Sequence, residues 1–99
     1  MSMKYTVETV IKIYSMREEI RESGNINMLD LVLDAERYLK KAGLSNKQMS
    51  TLQLHCDGYT IREIAEKQGI SKSSVGRELS TIKKSIQKVI DKPWNNNVN

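Results

Sequence analysis

Six basic residues crowd one segment of the chain: Lys72, Arg77, Lys83, Lys84, Lys88 and Lys92 fall within residues 71–92, where only Glu78 and Asp91 oppose them. The 99-residue chain has a formal net charge of +4, and this segment holds the whole excess. Residues 1–44 carry seven acidic and seven basic side chains, and residues 45–70 carry three of each. Cations concentrated in this way suit the binding of a polyanion, to which lysine brings a point charge and arginine a planar fork of donors. A solvated helix face also carries lysines. The assignment therefore depends on the elements that hold these residues.

Other chemistries lack their parts. His55 and Cys56 are adjacent, so on a helix they point about 100° apart. With no second His or Cys, one chain cannot complete a zinc site. Cys56 continues an apolar stripe and is expected to be a buried structural thiol, and a single cysteine suits a reducing cytoplasm. Glu18 and Glu19 lie near Arg17 and Arg21 and read as a solvated face. There is no glycine-rich phosphate loop and no nucleophile with a plausible base. The expectation is a protein that is not an enzyme, with no cofactor and no metal. No run of about 18 apolar residues exists to cross a membrane. Met1-Ser2-Met3-Lys4 runs into charged sequence rather than into the apolar stretch of a secretory signal.

The elements that would position the basic residues are helices. Gly24, Gly43, Gly58 and Gly69 each follow a helix-like stretch, as helix-ending glycines do, and Pro93 stops the last one. Ser45 with Gln48 and Thr60 with Glu63 have the spacing of capping boxes, and Ser71 stands at a third N-cap. Leu44 with Met49, Tyr59 with Ile64, and Ile70 with Val75 sit as hydrophobic staples around those caps. These signals predict about five helices, near 6–22, 26–42, 46–57, 61–67 and 72–91, in an all-α fold. Apolar stripes follow at spacings of three and four. They comprise Val7, Val10, Ile11, Tyr14 and Ile20, then Leu29, Val32, Leu33, Tyr38 and Leu39. Met49, Leu52, Cys56 and Tyr59 form a third, and Val75, Leu79, Ile82, Ile86 and Val89 a fourth.

Residues 60–80 read TIREIAEKQGISKSSVGRELS. The small Ala65 suits a close helix crossing, Gly69 a tight turn, and Ile64, Ile70, Val75 and Leu79 the inner contacts. This is the pattern of a helix-turn-helix, whose second helix lies in the DNA major groove. Gln68 departs from it, standing where an apolar residue is more usual; its amide is expected to be partly exposed, or the turn to pack less tightly. The apolar stripe of the last helix leaves Lys72, Ser73, Gly76, Arg77, Ser80, Lys84 and Gln87 outward. Thr60, Arg62 and Lys84 are candidate phosphate contacts; Thr60 alternatively only caps its helix, and Lys84 alternatively is an ordinary solvated lysine. Gly76, inside a helix, serves close approach to the groove or freedom for Arg77 to swing, or else is simply tolerated there or packs tightly on a neighbouring helix.

Residues 44–90 resemble region 4 of the sigma-70 family, and equally the DNA-binding domain of quorum-sensing-type response regulators. The likeness lies in the preceding helix and in the G-Y-T-I-R-E-I-A run of residues 58–65. It implies a C-terminal tetrahelical helix-turn-helix. Region 4 reads bases from positions matching Lys72, Ser73 and Arg77; the response regulators use those matching Gly76, Arg77 and Ser80. Arg77 is common to both sets. Small regulators of phage late operons, the ArpU-like group, also pair such a domain with a short helical N-terminal part. Residues 1–43 contain no recognisable sigma region 2.

The expected organisation is 1–43 as amphipathic helices for dimerisation or partner docking, 44–92 as the DNA-binding domain, and 93–99 as a disordered polar tail. The expected function is sequence-specific transcription regulation on double-stranded DNA in a bacterial cytoplasm, at the nucleoid or in a phage-infected cell. A second copy of the chain and RNA polymerase are the further candidate partners. One alternative is a sigma-like or anti-sigma module that engages RNA polymerase. Another is a small DNA-packaging (terminase) or recombination component.

Overall fold

Five helix starts are fixed by a side chain that answers an orphan backbone N–H. Thr6 accepts from the N–H of Thr9 at 3.1 Å, and Asn25 from that of Met28 at 3.2 Å. Ser45, Thr60 and Ser71 do the same, each three residues ahead. In the computed structural model, which describes residues 5–92, these five starts and an uncapped one at Met16 open six helices. They are α1 (Val7–Ser15), α2 (Arg17–Ser23), α3 (Ile26–Ala42), α4 (Asn46–Cys56), α5 (Ile61–Gln68) and α6 (Lys72–Asp91). There is no strand among the described residues. The tail expected over 93–99 lies outside them.

The stretch expected to form one helix over 6–22 forms two, with the break at Met16, where the Arg17 guanidinium takes a backbone carbonyl. Met16 sits at φ −101° and ψ 11°, outside the helical well. The Ser15 hydroxyl donates to the Lys12 carbonyl at 2.6 Å, and Arg17 Nη1 donates to the Tyr14 carbonyl at 2.8 Å. The Tyr14 carbonyl is thereby bound by a side chain, while the Lys12 carbonyl still accepts from the Met16 N–H at 3.2 Å alongside the Ser15 hydroxyl. The Arg17 guanidinium lies 4.2 Å from the centre of the Tyr14 ring, a cation–π contact that holds the bend.

A single apolar cluster joins the helices, and α6 is the element common to its parts. It packs against α1, α3, α4 and α5. Val75, Ile82 and Ile86 have no exposed surface, and Leu79, Val89 and Ile90 are buried beside them. Val10 of α1, Val32 and Ala35 of α3, Leu52 of α4 and Ile64 of α5 complete the centre. At one end, Tyr5 and Tyr38 meet edge to face at 5.3 Å, and Tyr5 donates to Asp34 at 2.9 Å. Burial, with that hydrogen bond, pushes the Tyr5 hydroxyl up to about 12.

Two stripe residues depart from expectation. Leu33 is 56% exposed, because α3 buries the face of Val32, Ala35 and Leu39 and turns Leu33 away from it. Cys56 is half-buried rather than buried, at the last residue of α4, where its thiol donates weakly to the Ile11 carbonyl at 3.9 Å. Burial raises that thiol to about 11. No helix among the described residues is long and apolar enough to cross a membrane.

Candidate nucleic-acid interface

The basic face is held by three helices that pack pairwise, α4, α5 and α6. Ser45 and Gln48 exchange both capping-box bonds, at 3.1 and 2.9 Å, and so do Thr60 and Glu63 at the same distances. Between α5 and α6 the chain turns in three residues. Gly69 adopts φ 68°, a left-handed conformation that a side chain disfavours, and the Ile70 N–H donates back to the Ala65 carbonyl at 3.0 Å. Ser71 then caps α6 by accepting from the Ser74 N–H at 3.1 Å. Ala65 is buried, and the turn folds back over Ile64 and Val75, neither of which has exposed surface.

Gln68 is partly exposed, as expected, but its amide is held in place. It is half-buried, and its Nε2 donates to Thr51 Oγ1 at 2.9 Å. The Thr51 hydroxyl reaches the Lys47 carbonyl at 3.1 Å. Thr51 is the buried polar residue of the domain, with no exposed surface, and no buried side-chain polar atom among the described residues lacks a partner. A polar residue before the turn is therefore matched by a threonine on α4, which satisfies the amide and ties α5 to α4. The sequence signal for this pairing was Thr51 itself, a hydroxyl on the apolar side of its helix.

Glu78 decides the electrostatics of the face. It is half-buried, with Oε1 3.5 Å from Thr51 Oγ1, so it turns toward α4. Through residues 72–90 it is the sole acid, and its orientation leaves bases as the only charges on the outer side of α6 from Lys72 to Lys88. Lys72, Ser73, Arg77, Ser80 and Lys84 are all exposed, as are Thr60 and Arg62 at the start of α5. Among the described residues Lys72, Arg77 and Lys84 have no ion-pair partner. At about 1.5 Å per residue, the positions from Lys72 to Lys84 span roughly 18 Å of helix. Thr60 does cap its helix; its hydroxyl accepts from Glu63 and retains a hydrogen to donate.

Gly76 is half-buried, yet a Cβ built on it meets nothing within 4 Å. Packing against a neighbouring helix is thus not its role. Alanine fits without displacement, and Gly76→Ala is expected to stabilise the fold by about 1 kcal/mol through helix propensity. Thermal unfolding checks the gain, and an accompanying loss of DNA affinity would mark close approach to the groove.

His55 is half-buried beside Cys56. Its pKa lies below the ordinary 6.5, chiefly through burial and also through the charge of Lys83. The unfolded chain therefore binds a proton near pH 6 that the folded chain resists, and acidification through that window costs stability. Urea unfolding of wild type and His55→Gln at pH 8 and pH 5.5 is expected to show a smaller acid loss in the variant. Among the described residues no three His, Cys, Asp or Glu side chains gather to hold a metal ion.

Comparison with models of protein families, with curated proteins and with solved structures yields no match to this chain.

Proposed function

We propose that the protein is a sequence-specific DNA-binding transcription regulator in which α5 and α6 act as a helix-turn-helix. The observation that carries this reading is the outer face of α6: Lys72, Ser73, Arg77 and Ser80 are exposed along it with the half-buried Gly76 between them, and Glu78, the one acid from Lys72 to Ile90, turns toward α4. In this reading α6 enters the major groove and Arg77 reads a guanine through O6 and N7. Lys72, Ser73, Gly76 and Ser80 line the base edges. Thr60, Arg62 and Lys84 grip phosphates and set the register. The resemblance of residues 44–90 to sigma region 4 and to the response-regulator domain supports the same assignment, and so does the likeness to late-operon regulators. A lone domain of this kind touches few base pairs, which assigns residues 1–43 to self-association or to docking on a partner such as RNA polymerase.

Phosphate contacts release counterions, so affinity should fall with salt at a slope of about −0.9 per phosphate in a log–log plot. Lys84→Ala is expected to weaken all duplexes alike and to reduce that slope by about 0.9. An unchanged slope would return Lys84 to an ordinary surface lysine. The functional class is tested by DNase footprinting on genomic fragments with and without RNA polymerase. A discrete footprint from the protein alone is the expected result. Protection that appears only with polymerase would favour the sigma-like module. Uniform coverage together with ring-sized native masses would favour a packaging component.

A further inference from the structure

The outer face of α3 has an arrangement that its core packing does not require. Ile26, Asp30, Leu33, Arg37 and Lys40 are all exposed and recur at spacings of four, three, four and three. That is the a/d spacing of a helix seam, turned away from the buried face of Val32, Ala35 and Leu39. Ile26 and Leu33 are 74% and 56% exposed, the two most exposed large apolar side chains among the described residues. The charges along the seam are ordered, with Asp30 on the N-terminal side of Leu33 and Arg37 and Lys40 on the C-terminal side.

We propose that this face binds a second copy of the chain, α3 against α3 in antiparallel orientation, with the two-fold axis at Leu33. The charge order identifies the occupant. An antiparallel pair centred on Leu33 sets residue 30 opposite residue 37 and residue 26 opposite residue 40. Asp30 of each copy then meets Arg37 of the other, and each Ile26 lies along the aliphatic stem of Lys40. A parallel pair would instead set Asp30 on Asp30 and Arg37 on Arg37, which repel. Leu33, Glu36, Arg37 and Lys40 already outline a shallow groove of the i, i+3, i+4, i+7 form that receives a knob. Asp30 of the partner copy is the residue placed over it. Glu36 does not disturb the match, because its carboxylate is paired with Arg21. Arg37 pairs with Asp34 at 3.5 Å, but its side chain is 61% exposed, which leaves room for a second carboxylate to approach it. This inference rests on the proposed function only in assigning residues 1–43 to self-association, and its cross-linking and sedimentation tests contain no DNA.

One helix pair covers less than the ~1,200–2,000 Å² of a standard stable interface, so a weak dimer is expected. Cysteine cross-linking captures weak pairs. In a Cys56→Ser background, Leu33→Cys is expected to form a covalent dimer in a glutathione redox buffer. Ile26→Cys alone is not, because the two copies of residue 26 lie about 21 Å apart along the pair. Ile26→Cys combined with Lys40→Cys restores the cross-link. Sedimentation of chains without added cysteines provides the second reading: Arg37→Asp weakens dimerisation, and Asp30→Arg combined with Arg37→Asp recovers it. Helical circular dichroism verifies that each variant folds. The proposal is overturned if Ile26→Cys cross-links as readily as Leu33→Cys, or if Leu33→Cys stays monomeric at millimolar concentration. A footprint lost with the dimer intact would instead count against the DNA reading alone.

Discussion

Arg77→Ala is expected to lower discrimination between the preferred site and unrelated duplex by about 1–3 kcal/mol, or roughly 5- to 150-fold, while leaving the fold unchanged. Both halves of that expectation follow from its surroundings. Arg77 is exposed and has no ion-pair partner among the described residues, so truncation removes no internal contact. Thermal stability should stay within about 0.5 kcal/mol of wild type, as for surface changes that break no special feature. In the proposed reading the recognition loss is larger, because guanine O6 and N7 would lose a bidentate donor. Arg77→Lys separates charge from geometry. It keeps the attraction to phosphate but not the fork, so binding to all duplexes should persist while site preference falls. Competitive titration of labelled duplexes checks both variants. An unchanged ranking of sites would remove Arg77 from the reading set.

Ile82→Ala should produce the largest stability loss of any change considered, about 2–5 kcal/mol. Ile82 has no exposed surface and lies on the helix that packs against α1, α3, α4 and α5. A cavity there therefore loosens the packing that holds the N-terminal helices to the basic face. Domains of this size have about 5–15 kcal/mol in total, so the variant retains a fraction of its stability. At about 4–8 °C per kcal/mol, thermal unfolding should drop by tens of degrees at the upper end of that range. Ile61→Ala is the matched control. Ile61 is 43% exposed on α5, and its truncation should cost far less. Equal losses at the two positions would contradict the assignment of α6 as the central element.

The features legible in the sequence were those governed by neighbours a few residues away. Ser45, Thr60 and Ser71 form the expected caps, because a cap depends only on the next turn. Val75, Leu79, Ile82, Ile86 and Val89 are all buried, because one helix of fixed period carries them. The same geometry made the outward positions of α6 readable. Features set by distant residues were not. At the break by Met16 the Arg17 guanidinium takes the Tyr14 carbonyl, and a periodic stripe does not reveal that competition. Leu33 fits the spacing of its stripe but points outward, since α1 and α6 select a neighbouring face of α3. Gln68 is settled by Thr51, 17 residues earlier. Gly76 could not be assigned before the space around its Cα was known to be open.

The most direct measurement is selection of bound duplexes from a random-sequence pool, run in parallel with wild type and Arg77→Ala at one fixed salt concentration. The proposed function predicts that wild type enriches a single short motif containing guanine and that Arg77→Ala loses the preference at that guanine while still retaining DNA. A wild-type pool without any enriched motif, or identical motifs from the two proteins, would contradict it.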